Sequence, residues 1–258
     1  MPGVDTPTLL TMLVYTVIIG FAAMVHGTVG IGFPMVATPL LALLTDVRTA
    51  ILLLVLPTVV INVGNILKGG RWGRSIAVYW PLAVYGMAGS FVGTRLLVAF
   101  PAESFRPLLA AMLVLYLNAE RIGVGFGWVR RHPRFAFAFF GLTAGILGGT
   151  VNVMLPALVI YALEVRMPKT VMIQVFNFCF LFGKLTQGAV FVQAGLMTGD
   201  VVGLSACMAV LGATVMFLGM RVRDRIPTAT YRRWLRRLLA VLAVLLAVQS
   251  LFLWFDHK

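Results

Sequence analysis

The chain has 258 residues, 60% of them hydrophobic and only 11% charged, with a mean hydropathy of +0.98. These values exclude an ordinary soluble domain, and long runs nearly free of charge point to membrane spans. The formal net charge is +13, but the basic residues gather at the ends of apolar runs, where they read as topology anchors facing anionic lipid and not as a nucleic-acid surface.

Apolar runs fall at about 9–44, 49–67, 75–94, 107–118, 135–163, 170–190, 201–220 and 238–255. The first would be about 54 Å long as one helix, well beyond a hydrocarbon core of roughly 30 Å. It must fold back, and Gly27, Gly30, Gly32 and Pro34 supply the breakers. No Lys or Arg precedes Arg48, which argues against a cleaved signal peptide. His26 abuts the break; it reads either as a proton-coupling group or as a polar residue satisfied in an aqueous vestibule. The run at 49–67 carries Asn62 and Asn65 one turn apart. Lys68, Arg71 and Arg74 follow it, whereas the loop at 95–106 is weakly charged. Arg121, Arg130, Arg131 and Arg134 mark a basic linker at about 119–134.

The run at 135–163 repeats the problem and the remedy of the first, with Gly145, Gly148, Gly149 and Pro156 as breakers. Within 170–190, Gln174, Asn177, Lys184 and Gln187 share one side of a helix. Lys184 is the one Lys or Arg well inside a run; it either snorkels to the interface or pairs with an anion in a cavity. Cys179 and Cys207 lie within apolar runs and offer no disulfide framework or metal-ligand spacing; they read as packing residues, with a reactive thiol at Cys179 as the alternative. The loop at about 191–198 has no Lys or Arg, while 221–237 has seven Arg: Arg221, Arg223, Arg225, Arg232, Arg233, Arg236 and Arg237.

The two halves match along their length. Gly27-Thr28-Val29 aligns with Gly149-Thr150-Val151, Pro34 with Pro156, Arg48-Thr49 with Lys169-Thr170, Gly93-Thr94-Arg95 with Gly219-Met220-Arg221, and Pro101 with Pro227. This predicts an internal duplication, repeat one at about 9–118 and repeat two at about 135–255. Corresponding loops differ in Lys/Arg content, which places them on opposite sides of the membrane. The expected fold is an all-α polytopic membrane protein of two inverted-topology repeats, each a broken, re-entrant helical hairpin plus about three full spans, with both termini outside. The Gly-Thr-Val turns would approach each other near the midplane, where non-helical backbone is tolerated only inside protein or beside a water-filled cavity.

All eight acidic residues lie in loops or at run ends, unlike the deep carboxylates of cation carriers. An anion site needs N–H groups at helix N-termini, hydroxyls, amides and a cation. The candidate substrate-binding residues are therefore Gly27, Thr28, Gly30, Gly32, Gly149, Thr150, Asn152, Gln174, Asn177, Lys184 and Asn62. The bland alternative is that the small residues among them simply let helices pack closely. The Gly-rich break is no dinucleotide fingerprint, because it follows no strand. No metal cluster, cofactor motif or deep carboxylate pair for acid–base work is present, so no enzyme activity, cofactor or metal is expected.

The break from Gly27 to Leu41, the stretch from Gly148 to Leu163, and Met167-Pro168-Lys169 leading into Asn177-Phe178-Cys179-Phe180-Leu181-Phe182 together resemble the TauE/SafE sulfite exporter family. The resemblance covers nearly the whole chain in layout. It implies transport of sulfur-containing anions such as sulfite, thiosulfate and sulfoacetate across the inner membrane. The expected function is a secondary transporter or facilitator of a small anion, with lipid as its other partner. A passive anion channel, or a membrane-embedded enzyme or assembly subunit, are the alternatives. Oligomeric state is not legible.

Overall fold

The computed structural model describes residues 9–68, 72–122, 125–222 and 228–256. Asp5, Arg71, Arg223, Asp224, Arg225 and Pro227, which entered the charge and repeat readings, lie outside them, as do the side chains of Arg74, Glu120, Arg121, Arg232, Arg233 and Asp256.

Every described element is helical. The first apolar run forms α1 (Leu9–Val29) and α2 (Phe33–Leu44), separated where Gly30 and Gly32 take φ of 90° and 105°, which a side chain disfavours. The equivalent run forms α8 (Pro133–Val151) and α9 (Leu155–Glu164), after the four-residue α7 (Trp128–Arg131). Here Asn152 closes α8 in the left-handed region at φ 61°, the conformation Asn tolerates best after Gly. Helices of 12 and 10 residues are about 18 and 15 Å long and too short to cross a hydrocarbon core. Each packs back on the helix before it.

Between the broken segments lie α3 (Val47–Leu53), α4 (Val55–Lys68), α5 (Trp72–Ala99), a short 3-10 turn (Ala102–Phe105) and α6 (Arg106–Ile122). After α9 come α10 (Lys169–Gln193), α11 (Gly199–Val222) and α12 (Thr228–Asp256). Among the described residues, five helices are long and apolar enough to span a membrane: α1, most of α5, α8, α10 and α11. Joining α3 to α4 makes a sixth. The chain is thus a multi-pass all-helical membrane protein.

The run at 49–67 is bent, by 48° between α3 and α4. Pro57 removes one N–H and its ring crowds the carbonyl four residues back. That carbonyl, on Leu53, instead accepts a hydrogen bond from the Ser205 hydroxyl of α11 at 2.8 Å, and the Leu56 N–H donates to the same hydroxyl at 3.3 Å. Elsewhere arginines take up free helix ends: Arg48 Nε donates to Leu97 O at 3.0 Å, and Arg106 to Thr45 O at 2.8 Å. Glu164, at the end of α9, accepts from the N–H groups of Gly125 and Phe126 at 2.7 and 3.1 Å, tying the linker down.

Packing runs across the two halves of the chain. Helix α1 lies on α11 and α8 on α5; α4 lies on α11 and α10 on α5; α4 meets α10 and α6 meets α12. Small residues permit the closest of these contacts. Gly141, Gly145 and Gly149 line one face of α8 against Gly86, Gly89, Ser90 and Gly93 of α5, so that a Cβ on Gly145 would strike Gly86 O and Ser90 N. Gly27 sits the same way against Met216 and Gly219 of α11.

The α5–α8 seam leads to a direct expectation. Gly145→Val forces the two backbones apart, at a cost of about 3 kcal/mol or more, and lowers the melting temperature in detergent sharply. Gly20→Val, on a face with no heavy atom within 4 Å of a Cβ, leaves it nearly unchanged. Equal melting temperatures for the two variants would remove the seam from the account of stability.

Candidate functional site

A small cavity, about 20 Å³ in volume, lies where the two half-helices begin. Its walls come from the first turn of α2 (Pro34, Met35) and from the second break and first turn of α9 (Asn152, Val153, Met154, Leu155). Thr58 of α4, Ser90 of α5 and Gly148 of α8 close the sides. Phe180, Gly183, Lys184 and Gln187 come from α10. Glycine at 148 is required by volume, because a Cβ there would lie 2.5 Å from Met154 Cγ; at 183 a Cβ would meet the end of the same side chain at 3.3 Å.

Lys184 is 4% exposed. The polar partner the structure gives its Nζ is Gln187 Oε1, one turn along α10. Gln187 in turn donates through Nε2 to Gly149 O at 2.9 Å and to Gly148 O at 3.4 Å, satisfying carbonyls at the end of α8. None of the acidic side chains described approaches Lys184. Asp46 caps α3 through Thr49, Glu164 holds the linker, and Glu103 and Asp200 are exposed. Hydrogen-bond capacity remains open toward the cavity. The Thr58 hydroxyl is buried without a partner, and α9 has no side-chain cap at its N-terminus. N–H groups and the macrodipole at such ends favour negative charge.

A second polar cluster sits at the first break. His26 is fully buried; its Nδ1 accepts from the Phe33 N–H at 3.2 Å, and Asn65 Nδ2 lies 3.0 Å from its Nε2. Gly30 O accepts from Asn65 of α4 and from Asn177 of α10, the latter at 2.8 Å. One turn from Asn65 toward Thr58, Asn62 is fully buried with neither amide atom partnered. At the far end of this seam the Ser75 hydroxyl donates to Gln174 Oε1 at 2.7 Å.

The sequence candidates are thus distributed. Lys184 and Asn152 border the cavity, Asn152 also donating to Thr38 Oγ1 at 2.8 Å. His26, Gly30 and Asn177 form the second cluster. Asn62 lies between, and Gln174 is paired with Ser75. Gly27 and Gly149 serve helix packing, and Gly32 begins α2. Thr28 and Thr150 turn their hydroxyls back onto their own helices: Thr28 donates to Met24 O or Val25 O, and Thr150 to Ile146 O. Thr58, Ser90 and Met154 escaped the sequence reading. Thr58 had a signal, since it falls on the Asn62–Asn65 face of α4; Ser90 did not, within a stripe of small residues.

A family model described as Sulfite exporter TauE/SafE matches residues 15–250, nearly the whole chain. No curated protein and no solved structure matches.

The hydrogen bonding around the cavity separates two kinds of polar residue by their stability effects. Gln187→Leu strands Lys184 and the Gly149 carbonyl, a cost of about 1–3 kcal/mol, and lowers the melting temperature in detergent. Thr58→Val removes a hydroxyl that has no protein partner, and leaves the melting temperature unchanged or higher. The reverse ordering would show that these bonds do not organise the cavity.

Proposed function

The chain belongs to the sulfite exporter TauE/SafE family, and from that premise we propose that it is a secondary transporter or facilitator carrying a small sulfur-containing oxyanion or organosulfonate across the inner membrane. The observation that carries this reading is Lys184: a basic side chain, buried in the membrane between two half-helix N-termini, with no carboxylate beside it among the described residues. An isolated charge in such a place is costly, and an anion in the cavity offsets that cost. It would be held by Lys184, the Thr58 hydroxyl and the N–H groups that open α9. The chemistry needed is binding and release, with no bond made or broken, so no catalytic group is assigned.

The proposal extends to architecture. The cross-packing of α1 on α11 with α8 on α5, and the placement of Gly27 against Gly219 just as Gly149 lies against Gly93, support two inverted repeats, about 9–118 and 135–255, with both termini outside. One bundle would then move against the other around the cavity. His26, whose burial and hydrogen bonding isolate it from bulk water, is the candidate for proton coupling.

The test is a thermal-shift series on the purified protein with sulfite, thiosulfate, sulfoacetate, sulfate, chloride and small carboxylates. A ligand that binds only the folded state raises the melting temperature with concentration. Sulfite or thiosulfate is expected to stabilise the wild type, and Lys184→Met to abolish the shift. Stabilisation by carboxylates alone, or an undiminished shift in Lys184→Met, overturns the assignment.

A further inference from the structure

Asn62 is a polar side chain for which the protein provides no partner. It is fully buried on α4, and neither its amide nitrogen nor its amide oxygen makes a hydrogen bond. Leaving both halves of a buried amide unmade is expensive, and such groups in native proteins call for an explanation. Its neighbours on the same face are functional in character. Thr58, one turn away, borders the Lys184 cavity with its own hydroxyl unpartnered; Asn65, one turn the other way, reaches Gly30 O and His26. Helix α10 faces α4 along this seam. Asn62 therefore stands on a polar track that joins the cavity to the His26 cluster and ends at Ser75 and Gln174.

The repeat supplies a second, independent reason. The shift along the chain that carries Gly27 onto Gly149 and Pro34 onto Pro156 also carries Asn65 onto Gln187 and Asn62 onto Lys184. The first of these pairs performs one task twice: Asn65 donates to Gly30 O at the first break, and Gln187 to Gly149 O at the second. Asn62 is then the counterpart of the residue that carries the anion site. The same shift carries His26 onto Gly148, and the shift that pairs Gly93 with Gly219 carries Ser90 onto Met216. Gly148 of the second half and Ser90 of the first border the cavity; their counterparts, His26 of the first half and Met216 of the second, are large and fully buried.

We infer that Asn62 is a second station for the transported anion, distinct from the Lys184 cavity and occupied on its way through the protein. This rests on the transport reading above. An amide offers a donor to an anion oxygen and an acceptor to the anion's hydroxyl or to a water it carries, and it adds no fixed charge to hold the ion. A neutral station next to a cationic one lets the anion leave, as conduction through sequential sites requires.

The experiment uses Asn62→Leu in the full chain, with Asn62→Ala in parallel should the larger residue prevent folding. Three quantities are read: melting temperature without ligand, its rise with sulfite and thiosulfate, and sulfite flux in proteoliposomes. Losing an unpartnered amide should not lower the unliganded melting temperature. The anion-dependent rise should persist, because the cavity is intact, while flux falls about tenfold, the equivalent of one hydrogen bond lost at the rate-limiting position. Wild-type flux in a folded Asn62 variant overturns the station. So does loss of the anion-dependent rise together with flux, since Asn62 would then belong to the cavity. Failure of the transport reading itself would appear separately, as an undiminished anion response in Lys184→Met.

Discussion

A lysine buried in a membrane protein, with no carboxylate beside it among the described residues, constrains everything built around it. Removing a charged side chain from water is costly, and in lipid no solvent compensates. The surroundings of Lys184 answer that cost with oriented dipoles. Gln187 turns its amide oxygen to the Nζ and its nitrogen to the carbonyls of Gly148 and Gly149. That arrangement works only if α8 ends beside α10, which the glycine face of α8 against α5 makes geometrically accessible. The site and the helix packing are thus one structure: a side chain at Gly145 or Gly149 would displace the carbonyls that orient the amide that holds the lysine.

The broken helices pose a related problem. A helix that stops inside the membrane leaves carbonyls at one end and N–H groups at the other, with no water to take them. At both breaks an amide from the helix that follows in the same half accepts the task of meeting the carbonyls, Asn65 at Gly30 and Gln187 at Gly149. The N–H ends are treated differently. At α2 the Phe33 N–H is met by His26, whereas the opening turn of α9 borders the cavity without a side-chain cap. The end left without a cap is the one next to Lys184, where negative charge has most to gain.

The breaks were legible in the sequence because Gly and Pro act locally: their effect on φ and on the N–H inventory is the same whatever surrounds them. Lys184 was legible because one cation in a long apolar run is conspicuous. The bend after Leu53 was not, although Pro57 is visible, because an uninterrupted apolar run reads as one span; the partner that makes the bend tolerable, Ser205, is far away in the chain. Thr58 and Ser90 were missed for a similar reason. A hydroxyl in an apolar helix can bond its own backbone, as Thr28 and Thr150 do, or face a cavity, and only the tertiary packing decides.

Under the repeat reading, the two halves keep what packing demands and differ in what lies at the center of each. Glycines that let helices approach recur at Gly27 and Gly149, and the amides that cap the breaks recur at Asn65 and Gln187. What changes is volume and charge: His26 for Gly148, Met216 for Ser90, Asn62 for Lys184. The first two changes fill the space beside His26 where the space beside Gly148 is open, and the third leaves a neutral amide where its counterpart is basic. Two identical half-sites would bind the anion equally and give no preference between positions along the path. On the transport proposal, a pair that is alike in backbone and unlike in charge would give the ion one strong site and one weak one, and the difference between them, more than the depth of either, would govern how readily it moves on.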